Sequence, residues 1–217
     1  MDETVPAIVV MGVAGCGKSS VAAAVAARLN GRFIEGDTFH SPASVEKMRR
    51  GIGLVDADRW SWLDRLAAEM RQACERGEPV VLACSALKRR YRDRLRLGSP
   101  KVGFIFLDLP QEEAAKRVGQ RRGHYMPDSL VASQFADLEA PIGEALTLRA
   151  DATRPLDAIV DQALDWHTQA SRHGECRPIG EDSAVFVRAS TGAAVGAPVA
   201  PAGMAGWARA DTRPIQR

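Results

Sequence analysis

No apolar run in the 217-residue chain reaches the roughly 18 residues that a membrane-spanning helix requires, so that class is excluded. Cysteine is scarce and unpaired. Cys16, Cys74, Cys84 and Cys176 show neither a CxxC pair nor a His/Cys ligand spacing, which argues against a zinc site or a disulfide framework. An excess of one charge is also missing: 29 basic and 27 acidic residues leave +2, with no general attraction for nucleic acid or a membrane surface. The start, Met1-Asp2-Glu3-Thr4, is acidic where an export signal is basic, and the apolar stretch after it is short. It reads as a buried strand, and a reducing cytoplasm is the expected compartment.

What is present, 46% hydrophobic and 26% charged residues, is the mix of a globular protein and excludes a wholly disordered chain. From residue 5 to 170 short apolar runs alternate with longer amphipathic ones. Strands are expected at Val5 to Met11, Arg32 to Asp37, Pro79 to Ser85, Val102 to Leu109 and, more weakly, Leu146 to Ala150. Helices are expected at Gly17 to Leu29, Ser44 to Arg50, Arg59 to Arg76, Lys88 to Leu97, after Pro110 through Gln120, and Leu156 to Ala170. Strands separated by helices of this length imply βαβ units, an α/β fold with a parallel sheet and helices on both faces. Residues 171–217 are rich in Ala, Gly, Pro and Arg and poor in core formers, and are expected to form a flexible extension.

Gly12-Val13-Ala14-Gly15-Cys16-Gly17-Lys18-Ser19 fits GxxxxGK[ST] and follows a strand and opens a helix, the context that pattern requires. Glycines let the backbone curl until successive N–H groups face phosphate oxygens, and the helix N-terminus adds its positive end. Residues 12–19 together with Ser20 are therefore the expected nucleotide-binding set. Lys18 would reach the β- and γ-phosphates and the Ser19 hydroxyl would ligate Mg²⁺. Cys16 needs to supply only its N–H, so it reads as a small residue that fits.

The second strand ends in Glu35-Gly36-Asp37-Thr38-Phe39-His40. Carboxyl ends of parallel strands line the ligand crevice. Asp37 there could accept a proton from an attacking hydroxyl or hold Mg²⁺ through water; a turn or cap role is the competing reading. After the third strand, Cys84 to Arg92 brings a basic helix start to the same crevice, which suits an anionic substrate, although Arg89, Arg90 and Arg94 individually read as a solvated face. Arg117 and Arg121 lie four apart on one helix face, where either a lid that neutralises the transferring phosphoryl group or ordinary surface arginines would fit. Gly123 would be the hinge of such a lid.

Beyond the phosphate loop, several segments occur in a fixed order: residues 36–40, 46–48, 51–60, 83–88, Tyr91-Arg92, 123–127, 133–135 and Leu138-Glu139. Together they resemble the P-loop gluconokinase family over about residues 7 to 165. The resemblance implies a P-loop kinase fold with a five-stranded parallel sheet and a small lid. It implies transfer of phosphate from Mg-ATP to the 6-hydroxyl of D-gluconate, and commonly a homodimer. It puts Lys18 and Ser19 on nucleotide and metal, and Asp37 on the acceptor side as base or metal-linked carboxylate. His40, Asp56, Asp58 and Arg59 fall in the segment covering the sugar acid, Lys88, Tyr91 and Arg92 in its cationic wall, His124 beside the substrate, and Arg117 and Arg121 on the lid. Gly53 and Val55 stand where the family pattern has proline and threonine, and Ser41 and Ser44 where it has proline and asparagine. Shikimate-type and nucleotide kinases, and a non-catalytic ATP-binding regulatory module, are the alternatives. The first is disfavoured by Cys84-Ser85-Ala86 in place of a Gly-rich triplet, the second by the 123–134 segment, and the third by intact Lys18, Ser19 and Asp37.

Overall fold

The computed structural model describes residues 5–120 and 128–173, with side chains from Val131 onward in the second span. Five strands, β1 (Ala7–Met11), β2 (Arg32–Glu35), β3 (Val80–Ala83), β4 (Val102–Asp108) and β5 (Thr147–Asp151), form one sheet in the order β2-β3-β1-β4-β5. All four pairings are parallel. The strands are joined by α1 (Lys18–Arg28), α2 (Pro42–Arg49), α3 (Asp56–Glu75), α4 (Arg89–Arg96), α5 (Gln111–Gly119) and α6 (Asp128–Asp137), and α7 (Leu156–His173) follows β5.

The central strand β1 is buried along its whole length, and its side chains alternate between two cores. Ile8 and Val10 pack with α1 and α7 on one face; Ala7, Val9 and Met11 pack with α3 and α4 on the other. This is why the strand reads as an unbroken apolar run. Because the strands are parallel, the loops leaving β1, β2 and β3 gather at one edge of the sheet, and these three strands are neighbours.

Three expectations change. The second strand stops at Glu35, and Gly36–Phe39 forms a 3-10 turn that carries Asp37. A Cβ on Gly36 would come within 2.4 Å of the Ala83 carbonyl oxygen, so only glycine lets this turn lie against the end of β3. Helix α3 begins at Asp56, not Arg59, which places Asp56 and Asp58 in its first turn. Helix α6 was not anticipated. Helix α7 runs to His173, and the extension beyond it lies outside the described residues, as do Arg121, Gly123 and His124.

Candidate active site

The phosphate loop joins β1 to α1. Gly12 has φ +141, and a Cβ there would meet the Leu107 carbonyl oxygen at 2.8 Å and Cys16 Sγ at 2.9 Å, so both the conformation and the space demand glycine. Cys16 is buried and backs the loop from inside, which is the packing role its sequence position suggests. Lys18 folds its ammonium onto the loop, donating to the Val13 carbonyl at 2.8 Å. Ser19 and Ser20 are exposed on the first turn of α1.

Asp37 stands across the end of β3 from this loop, its side chain 78% exposed and 3.9 Å from His40 Nε2. At the end of β3 the Gly12 N–H donates to the Ser85 carbonyl at 3.3 Å and Gly36 lies against the Ala83 carbonyl, so the phosphate loop and the Asp37 turn border the carboxyl end of one strand. Between them Cys84 is buried; burial pushes its thiol up to about 12, a backbone N–H bond from Ala86 opposes that, and the charges of Asp37, Lys18 and Arg59 also act on it.

His40 stacks on Trp62 with ring centroids 4.2 Å apart, and Trp62 Nε1 donates to the Gly36 carbonyl at 2.8 Å, which anchors the Asp37 turn from below. Burial holds the His40 imidazole below its ordinary value against the pull of Asp37, with Arg59 adding to the lowering. Its Nδ1 is buried and has no hydrogen-bond partner among the described residues.

The wall beside this turn is assembled from α3, α4 and α6. The Asp56 carboxylate accepts the Tyr91 hydroxyl at 2.5 Å and meets Arg90 at 2.5 Å and Lys88 at 3.7 Å. These bonds, the Tyr91 one above all, hold it below the usual carboxylate range. Tyr91 is buried, and desolvation followed by the Asp56 bond raises its phenol to about 12, so it remains a donor. Lys88 is also held by Asp137 of α6 at 2.9 Å. Arg59 donates to the Leu54 carbonyl and lies 5.3 Å from the centre of the Tyr91 ring. Asp58 pairs with Lys47 at 2.6 Å and accepts the Val55 N–H at 3.1 Å, so it ties α3 to α2 and caps its own helix.

Two expected site residues are used otherwise. Arg92 is 1% exposed and cannot form part of a wall that touches substrate. Its guanidinium bonds the carboxylate of Glu144 and the carbonyls of Ala86 and Leu87, at 3.0 and 2.9 Å, clamping the turn that presents Lys88. Ala86 sits in the left-handed region at φ +44, which this clamp holds. Burial raises the Glu144 carboxyl, but Arg92 and Arg96 outweigh it and keep it below its usual range. Arg117, expected on a lid, sits on α5, bonded to Glu113 at 3.0 Å and to the Ala152 carbonyl at 3.0 Å, and its Cβ lies 3.5 Å from where a Cβ on Gly15 would be. It flanks the phosphate loop.

Sequence reasoning missed the carboxylates that hold these cations, Asp137 on Lys88 and Glu144 on Arg92 and Arg96. The order of motifs marked 133–135 and 138–139, but nothing in their spacing says that Gln134 accepts the Ala14 N–H and Glu139 the Arg89 N–H. Ser41 and Ser44, where the family has proline and asparagine, prove local: the Ser41 hydroxyl caps α2 by accepting the Ser44 N–H at 3.1 Å, and the Ser44 hydroxyl accepts from Ser41 at 3.0 Å. Among the described residues no group of His, Cys, Asp and Glu could hold a metal by itself, and no helix is long and apolar enough to cross a membrane.

The sequence profile of the AAA domain matches residues 8–142. A gluconokinase of Gluconobacter oxydans is 42% identical over 75% of this chain and 91% of its own length. The thermosensitive gluconokinase of Escherichia coli is 40% identical over 71% of this chain and 83% of its own. The crystal structure of a gluconokinase from Sinorhizobium meliloti superposes with a TM-score of 0.71 at 44% identity, covering 78% of this chain and 95% of that one.

Proposed function

Since the chain belongs to the gluconokinase family, we propose that it transfers the γ-phosphoryl group of ATP to the 6-hydroxyl of D-gluconate, giving 6-phosphogluconate and ADP. The observation that carries this reading is that the phosphate loop with Lys18 and the exposed Asp37 flank the end of β3, where the Gly12 N–H donates to the Ser85 carbonyl at 3.3 Å and Gly36 lies against the Ala83 carbonyl. Lys18 gives up its bond to the Val13 carbonyl for the β- and γ-phosphates, which the loop's N–H groups hold by their oxygens. Asp37, exposed and paired with no Lys or Arg among the described residues, takes the proton of the attacking hydroxyl as the new O–P bond forms and the bond to ADP breaks. Arg59 and Lys88 supply positive charge for the carboxylate at the far end of the sugar acid, and Asp56, Tyr91 and His40 supply polar groups for its hydroxyls.

Mg²⁺ suits this site because it binds through phosphate oxygens, water and one or two protein oxygens rather than an all-protein cage. The Ser19 hydroxyl and the Asp37 carboxylate are the groups that would hold it, and bound there it would neutralise charge on the phosphates. The same reading makes the protein a cytoplasmic homodimer with a small sugar acid as its partner.

The test is ADP release by the purified full chain with Mg-ATP, offered D-gluconate, other sugar acids, shikimate or nucleoside monophosphates, each against a blank without acceptor. Release that saturates with gluconate below millimolar concentration supports the reading. Preference for another acceptor transfers the chemistry to that substrate, and ATP binding without turnover refutes it.

A further inference from the structure

Helix α6 touches the phosphate loop through a polar contact: Gln134 Oε1 accepts the Ala14 N–H at 2.7 Å, across 120 residues of sequence. One turn later Asp137 holds Lys88 at 2.9 Å. Two residues beyond that, the Glu139 carboxylate accepts the Arg89 N–H at 2.6 Å, while its own N–H donates to the Leu87 carbonyl at 3.0 Å. Six residues thus grip the loop that follows β1 and the loop that follows β3, which are the two sides of the site.

We propose that Gln134 is a positioning residue for nucleotide binding, fixing the crest of the phosphate loop through Ala14. The physical argument is one of competing shapes. A loop of three glycines in eight residues has many conformations, and only those with converging N–H groups bind phosphate. Sequence-adjacent anchors fix its two ends, at β1 and α1. Gln134 supplies the anchor in the middle, and it does so with a neutral acceptor, since a carboxylate in the same place would repel the phosphates. Satisfying the Ala14 N–H in advance removes conformations that would otherwise have to be lost when nucleotide arrives.

This inference rests only on the nucleotide-binding half of the proposed function, so it is tested without an acceptor. Binding of Mg-ATP to the full chain is measured by calorimetry for wild type, Gln134→Met and Gln134→Asn. The first keeps length and loses the acceptor; the second keeps the amide but is one methylene too short to reach. Both are expected to raise the Kd about tenfold, the scale of one lost hydrogen bond. In turnover assays the KM for ATP should rise with it, while kcat at saturating ATP and the KM for the acceptor stay within about twofold. A Kd within twofold of wild type for either variant overturns the proposal. So does a parallel rise in both KM values with a fall in Tm, which would mean α6 had merely come loose. If no acceptor is ever phosphorylated but the Kd changes as expected, the substrate reading fails and this one stands.

Discussion

On the nucleotide side of the site the working groups are backbone, carried by eight consecutive residues between a buried strand and its helix; on the acceptor side they are side chains from α3, α4 and α6, held by ion pairs between residues far apart in the chain. The loop needs glycine at Gly12 for conformation and space, and from afar it takes one neutral acceptor, Gln134. The wall needs Asp56 for Tyr91, Arg90 and Lys88, Asp137 for Lys88, and Glu144 for Arg92 and Arg96. A backbone site can be specified by a local motif. A side-chain wall has to be specified by its scaffold, and each cation in it has a charge to balance before substrate arrives.

The contrast breaks most sharply at Asp37, whose carboxylate is largely exposed. Asp37→Asn keeps the shape and removes the base, so kcat should fall by about 10²–10⁴ while Mg-ATP binding is retained. Lys18→Ala should lose both. Stopped turnover and direct nucleotide binding separate the two sides, and near-wild-type kcat in Asp37→Asn would remove Asp37 from the reaction.

The next largest effect lies beneath the wall. Arg92→Met leaves the nearly buried Glu144 with Arg96 alone and frees two carbonyls, and breaking a buried pair of this kind costs about 3–5 kcal/mol. The midpoint of thermal unfolding should drop by roughly 6–20 °C on the per-kcal scale of a domain this size. Because Arg92 acts through the turn at Ala86, the surviving folded enzyme should show a raised KM for the acceptor and an unchanged KM for ATP. Equal loss on both sides would mean the clamp serves the whole crevice.

These two residues also show what could be read from sequence. The strand order of apolar runs and the phosphate loop were legible because each is a local pattern, periodic burial in one case and glycine spacing in the other. The placement of Asp37 at the carboxyl edge of the sheet was legible because it follows a strand in a parallel sheet. Arg92 was not: one arginine among Lys88, Arg89, Arg90, Arg92, Arg94 and Arg96 carries no sign of being turned inward until Glu144, 52 residues away, is brought beside it. For Arg117, helical spacing gives its face but not its bond to the Ala152 carbonyl. Helix α6 was hidden behind the lid motif, which named residues without giving them an element.

A smaller effect sharpens the family difference at Val55. Its N–H is accepted by Asp58, but its own side chain cannot return the bond, so half of a capping box is present at the start of α3. Val55→Thr adds the missing acceptor at an exposed position with almost no change of shape. Stability should rise by about 1 kcal/mol, or roughly 2–4 °C in Tm, with turnover unchanged. No gain would mean that the Asp58 N–H, which already donates to the Val55 carbonyl at 3.0 Å, needs no second acceptor.

The smallest effect is one of slope, at His40 under the Asp37 turn. Burial against Trp62 lowers its pKa beneath 6.5, with Asp37 opposing and Arg59 assisting, so the unfolded chain binds this proton more readily than the folded one. Stability from this group is complete above pH 6.5 and declines as pH falls from there toward the folded pKa, because protonation then favours unfolding. His40→Gln loses the stacking at every pH and lowers Tm throughout, yet it has no proton to gain. The measurement is therefore Tm against pH from 8 to 5 for both proteins. The carboxylates contribute the same acid-side loss to each, so the wild-type curve should fall more steeply below pH 6.5 and the two should draw together. Parallel curves would mean that the imidazole is as free to take its proton folded as unfolded, and that the acceptor side, unlike the loop opposite it, is open to water at its base.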